Sequence, residues 1–111
     1  MKYLALWRPE SGEEGAPPSP EHMQEMGALT HEMMAKGSLI GTEPLAPRAS
    51  GARVRNAGGT MTVSSEEVRM AGYAFLNANS REEAIELAKT FLGVAGDGVC
   101  EVRQVVEIPP R

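Results

Sequence analysis

Gly72-Tyr73-Ala74-Phe75-Leu76-Asn77-Ala78-Asn79-Ser80-Arg81-Glu82-Glu83-Ala84-Ile85-Glu86-Leu87-Ala88-Lys89-Thr90-Phe91-Leu92-Gly93 changes its hydrophobic period partway along. Gly72 to Ala78 is short, aromatic and apolar on both alternating faces, which predicts a strand buried on two sides. Ser80 to Glu83 then has the capping-box pattern, in which serine and glutamate satisfy each other's orphan backbone donors. A helix follows with Ala84, Ile85, Leu87, Ala88, Phe91 and Leu92 on one face. Glu82, Glu86 and Lys89 lie opposite, and Gly93 is the expected stop. A helix greasy on one side can cover one face of a strand greasy on two. The other face needs a second cover.

Downstream, Gly96-Asp97-Gly98 reads as a turn into a last strand, Val99 to Ile108, stopped by Pro109 and Pro110. Its alternation places Cys100, Val102, Val106 and Ile108 on one side and Glu101, Arg103 and Glu107 on the other. Upstream, the chain opens with an apolar strand from Lys2 to Trp7, with Leu4 and Leu6 on one face and Tyr3, Ala5 and Trp7 on the other. Glu10 to Pro18 is a loop. Ser19-Pro20-Glu21 starts a helix running to about Lys36, since a hydroxyl caps free amides, proline costs nothing at the first position, and an acid suits the positive end of the dipole. Met23, Met26, Thr30, Met33 and Met34 form its expected core stripe, and Gly37 ends it. Ser38 to Leu45 suits another strand. Ala52 to Arg55 and Thr60 to Val63 alternate around Asn56-Ala57-Gly58-Gly59, a hairpin pattern with one wet face.

The predicted order is strand, helix, strand, inserted hairpin, strand, helix, strand. This is an α+β, ferredoxin-like βαββαβ plan in a single domain spanning residues 1–111. Two helices hide only one face of a four-stranded sheet, so the expected solution is a two-fold homodimer packed sheet to sheet, a dimeric α/β barrel.

The totals narrow the function. The 111 residues suffice for one core, and 12 glycines with 8 prolines imply substantial loops. A net charge of -4 argues against binding a phosphate backbone, so no nucleic-acid partner is expected. The N-terminal apolar run is too short for a signal peptide, and no stretch is long enough to span a bilayer, so no membrane partner is expected. The lone cysteine, Cys100, has no intramolecular partner, which fits a reducing, cytoplasmic setting. Zinc spacing, phosphate loop and dinucleotide fingerprint are all missing, so neither metal nor cofactor is expected.

Nearly the whole chain resembles the YCII-related proteins, in their DGPF-domain branch. The resemblance is carried by Met1-Lys2-Tyr3-Leu4, by Met33-Met34-Ala35-Lys36-Gly37-Ser38-Leu39 with Gly41-Thr42-Glu43-Pro44-Leu45-Ala46-Pro47, and by Gly51-Ala52-Arg53-Val54-Arg55. Ala71-Gly72-Tyr73, Ser80 to Lys89 and Glu101-Val102-Arg103-Gln104 extend it. It implies a dimeric ferredoxin-like barrel. Genes of the branch often adjoin those of alternative sigma factors, which implies a regulatory role. The motif naming the branch is missing: Ser64-Ser65-Glu66-Glu67-Val68-Arg69-Met70 stands where Asp-Gly-Pro-Phe and an acid-rich stretch would fall. The His and Asp pair behind an enzyme-like role in the wider family has no matching positions here.

Glu43, at a strand end and matching a family glutamate, is the best candidate for a polar pocket residue, and a turn acceptor is its plainer role. His31 sits at the edge of the first helix's stripe, where it is a general-base candidate given a partner; otherwise it is a half-exposed helical histidine. Arg53 and Arg55 form a candidate anion-binding pair on the hairpin, or a solvated strand face. His22 reads as a first-turn surface residue, Ser64 and Ser65 as a connector, and Cys100 as a buried inert thiol. The methionines read as packing. The expected function is a non-enzymatic or degenerate dimeric module for a small ligand or a protein partner. The alternative is a cofactor-independent enzyme using Glu43 and His31 for proton transfer.

Overall fold

A computed structural model of the chain describes residues 1–10, 19–65 and 70–108. The element order is β1 (Lys2–Pro9), α1 (Pro20–Ala35), β2 (Leu39–Pro44), a short 3-10 turn at Arg48–Ser50, β3 (Arg53–Ala57), β4 (Thr60–Ser64), β5 (Gly72–Asn77), α2 (Arg81–Ala95) and β6 (Gly98–Gln104). The chain is α+β. One sheet has four strands in the order β2-β5-β1-β6, with every neighbouring pair antiparallel, and β3 and β4 form a separate two-stranded sheet. The loop expected over Glu10 to Pro18 lies outside the described residues except for Glu10. Most of the connector after Ser65 and the closing prolines also lie outside them.

Both helices pack on one face of the four-stranded sheet. Tyr3 and Ala5 of β1, Leu39 of β2 and Leu76 of β5 meet Met33 of α1 and Ala84 of α2, with Leu29, Ala74, Leu87, Cys100 and Val102 packed around them. The small Ala84 and Ala88 bring α2 close to the sheet, while Trp7 and Phe91 meet edge to face with centroids 6.2 Å apart.

Each helix departs from its sequence reading for a local reason. The Ser19 hydroxyl accepts from the His22 amide at 3.1 Å, so α1 starts as expected, and Gly37 follows its end at φ 77°. The core stripe of α1, however, is Met26, Leu29, Thr30 and Met33, whereas Met23 and Met34 are exposed. Leu29, partly buried against the core, belongs to this face and lies outside the expected stripe, so the buried face is rotated from it. In α2 the Ser80 hydroxyl caps the Glu83 amide at 3.1 Å, but the Glu83 carboxylate accepts from Asn79 Nδ2 at 3.4 Å instead of completing the box. Gly93 does not stop α2. The helix continues to Ala95 and ends at Gly96, whose φ of 95° suits glycine and few other residues.

Three strand readings also change. Ile40 is an extra residue in β2, because Leu39 pairs with Leu76 and Gly41 with Phe75, so β2 carries a bulge. Strand β6 stops at Gln104; Val105 still donates to the Lys2 carbonyl at 2.8 Å, but Val106 and Ile108 are exposed and leave the core side assigned to them. The hairpin forms, but Asn56 and Ala57 pair with Met61 and Thr60 inside the ladder, so the turn is only Gly58 and Gly59, with φ of 58° and 83°. The hairpin is wet on both faces, since every residue from Arg53 to Ser64 is exposed.

Candidate functional site

The face of the sheet turned away from the helices has a definite plan. Alternation along β1 puts Lys2, Leu4, Leu6 and Arg8 there, because Tyr3 and Ala5 point into the core. Cross-strand pairs share a face, so Phe75 stands beside Leu4 and Tyr73 beside Leu6, with Arg103 and Glu101 on the β6 side and Glu43 on the β2 side. Tyr73 and Phe75 contact edge to face at 5.8 Å, and Lys2 Nζ lies 4.8 Å from the Phe75 ring centroid. Such a cation over an aromatic ring contributes about 0.5–1 kcal/mol where water reaches it.

The apolar side chains Leu4, Leu6, Tyr73 and Phe75 therefore occupy the central strands β1 and β5. Charges surround them: Glu43 on one edge strand, Glu101 and Arg103 on the other, and Lys2 and Arg8 at the two ends of β1. All four apolar residues are only half-buried. The face is therefore an apolar centre inside a charged rim, open to solvent.

The predicted site residues are not brought together. Glu43 is exposed, on the open face beside Tyr73, while His31 is exposed on α1, which packs against the opposite face. The sheet stands between them. Arg53 and Arg55 share the polar face of the hairpin with Thr60, Thr62 and Ser64, all exposed. His22 serves through its backbone amide. Burial pushes the Cys100 thiol above its ordinary value, which suits an inert packing residue on the helix-covered side. The Lys36 ammonium, 2.9 Å from Glu32, holds that carboxyl below its usual range, but the pair is exposed and remote from both groups of candidates. The depression lined by Pro20, Glu21, Met23 and Gln24 contains none of the candidates. Among the described residues, no three His, Cys, Asp or Glu gather where they could hold a metal ion. No described helix is long and apolar enough to cross a membrane.

One feature near the core has no sequence signal. Trp7 Nε1 is buried with no hydrogen-bond partner among the described residues, and it sits against the bare backbone of Gly98. The indole lies too close to Gly98 for a side chain there. No family model matches the chain, and no curated protein matches it.

Proposed function

We propose that the chain is a homodimeric, YCII-related module of ferredoxin-like plan that acts by binding, with a regulatory role in the cytoplasm, and that it carries out no reaction of its own. The observation that carries this reading is the open sheet face, where Leu4, Leu6, Tyr73 and Phe75 are ringed by charges of both signs. A face bearing Lys2, Arg8 and Arg103 with Glu43 and Glu101 can oppose a second copy of itself without meeting a single-signed field. The strand order β2-β5-β1-β6, with a helix following β1 and another following β5, supports the ferredoxin-like plan.

The separation of Glu43 from His31 leaves proton transfer by that pair without geometric support. Light scattering at micromolar concentration tests the reading: a twofold subunit mass is expected, and Phe75→Lys lowers it by placing a charge at the apolar centre. A wild-type monomer mass overturns it. A thermal-shift screen of small anions and metabolites then identifies any ligand of the folded state, which raises the melting temperature increasingly, as the logarithm of its concentration, once that exceeds Kd.

A further inference from the structure

From the exposed hairpin we infer that β3 and β4 are an arm whose apolar stripe is covered by the second copy of the chain. The inference rests on the proposed homodimer and adds a second contact to it. Register puts Val54, Asn56, Met61 and Val63 on one face of the arm. Val54, Met61 and Val63 are 66%, 67% and 73% exposed, so no other described residue covers the stripe. An isolated two-stranded hairpin is marginal in water, and each ordered residue costs about 1–2 kcal/mol of backbone entropy. An ordered arm with an apolar face therefore requires an outside surface to pack on.

Area selects the second copy as that surface. Strands about 4.8 Å apart and about 20 Å long give a four-stranded face of about 400 Å², so sheet-to-sheet packing alone hides about 800 Å² in total. That lies at the upper limit of adventitious contacts and below the roughly 1,200 Å² where specific interfaces begin. An arm face of two five-residue strands covers about 160 Å². Two arms, each burying its own stripe and an equal area of the partner, bring the total to about 1,400 Å², inside the specific range. The arm is also placed for it. It is inserted between β2 and β5, so it springs from one edge of the face already expected to meet the partner.

The test compares the wild-type chain with a Met61→Lys, Val63→Lys double variant by sedimentation across a dilution series, together with amide hydrogen exchange of residues 53–64 in the wild type. Both positions are exposed in the single chain, so circular dichroism of the variant should match the wild type. The expected result is a wild-type dimer and a variant whose dissociation constant is higher by about a hundredfold or more, with arm amides protected only while the wild type is dimeric. A wild-type dimer with an equally tight variant and rapidly exchanging arm amides overturns the arm contact and leaves the sheet-packed dimer standing. A wild-type monomer overturns both. If the variant does not fold, the wild-type exchange decides alone: arm protection lost on dilution supports the contact, and unprotected arm amides in the dimer refute it.

Discussion

Gly98→Ala should be among the most damaging single-methyl additions in this protein. A Cβ at Gly98 would stand 2.5 Å from Trp7 Nε1, 2.8 Å from the Arg8 carbonyl oxygen and 3.2 Å from Trp7 Cε2. Non-bonded carbon contacts are comfortable only at about 3.5–4.0 Å, so at least two of these neighbours must give way. The carbonyl is not free to move, because Arg8 pairs with Val99 in the ladder joining β1 to β6. The indole can retreat only by giving up its edge contact with Phe91. Overpacking typically costs about 1–3 kcal/mol, and a clash with ladder backbone belongs in the upper half, about 2–3 kcal/mol. At about 4–8 °C per kcal/mol for a small domain, the melting temperature should fall by about 10 °C or more. Gly93→Ala is the matched control. Its Cβ meets nothing within 4 Å, and the position is inside α2, so relief of glycine's helix penalty should stabilise by about 0.5–1 kcal/mol. Thermal melts at one fixed protein concentration, with urea midpoints at constant m-value, measure both. Gly98→Ala melting within about 2 °C of the wild type would refute the packing argument. In a double-mutant cycle, Trp7→Phe should recover part of the loss by at least about 0.5 kcal/mol, with the Arg8 carbonyl clash remaining.

Ser80→Ala removes the cap on the Glu83 amide and should cost about 1 kcal/mol, while Ser80→Asp should stay near wild type, both read from urea midpoints. Met33→Ala, in the core, should cost about 2–5 kcal/mol. Met23→Ala, on the exposed side of α1, should change stability by no more than about 0.5 kcal/mol; equal losses would mean that the stripe of α1 is misassigned. Cys100 should react slowly with Ellman's reagent in the folded protein and rapidly in denaturant, because burial raises its thiol above the ordinary 9.0. The sign follows from linkage: the folded value lies above the unfolded one, so this contribution to stability is whole below the unfolded value and is lost as pH rises toward the folded one. The stability advantage of wild type over Cys100→Ala should therefore shrink as pH rises through 9, and an advantage growing with pH would contradict the burial.

Most of the fold was legible because the strongest signals were local. The change of period at Asn79 and Ser80, the Ser19-Pro20 start and the Gly58-Gly59 turn each encode their element within a few residues, and each element is present. The remaining features depend on hydrogen bonds and packing that residue type and spacing alone do not encode. Whether Gly93 ends a helix depends on whether the next turn can still be hydrogen-bonded, and the Gly96 amide donates to the Leu92 carbonyl at 2.9 Å. The buried face of α1 depends on where β2 lies beneath it, which methionine spacing alone does not encode. Val106 and Ile108 continue the alternation of β6 but extend past the end of β1, so no strand remains for them to pair with. Glu43 and His31 are candidates from their places at a strand end and at the edge of a helix stripe, and the packing of α1 on the opposite sheet face, which no local pattern encodes, is what separates them. The orphaned Trp7 Nε1 against Gly98 has no linear signature at all.

The arrangement of charge on the open face gives the separation of Glu43 and His31 a further consequence. In the proposed dimer the central residues Leu4, Leu6, Tyr73 and Phe75 lose water, while Glu43, Glu101 and Arg103 on the edge strands stay at the rim. A rim carboxylate keeps its hydration and contributes mainly to orientation and partner choice. A general base needs the opposite setting, withdrawn from water and next to an orienting group. Dimerisation through this face would thus leave Glu43 hydrated at the rim, where it orients the pair and does not act on a substrate. Replacing Glu43 by Gln should alter the salt dependence of self-association more than its strength, whereas Phe75→Lys should alter the strength at any salt concentration. If Glu43→Gln instead weakens the pair as much as Phe75→Lys does, the carboxylate lies in the desolvated centre, and the division into apolar core and charged rim is wrong.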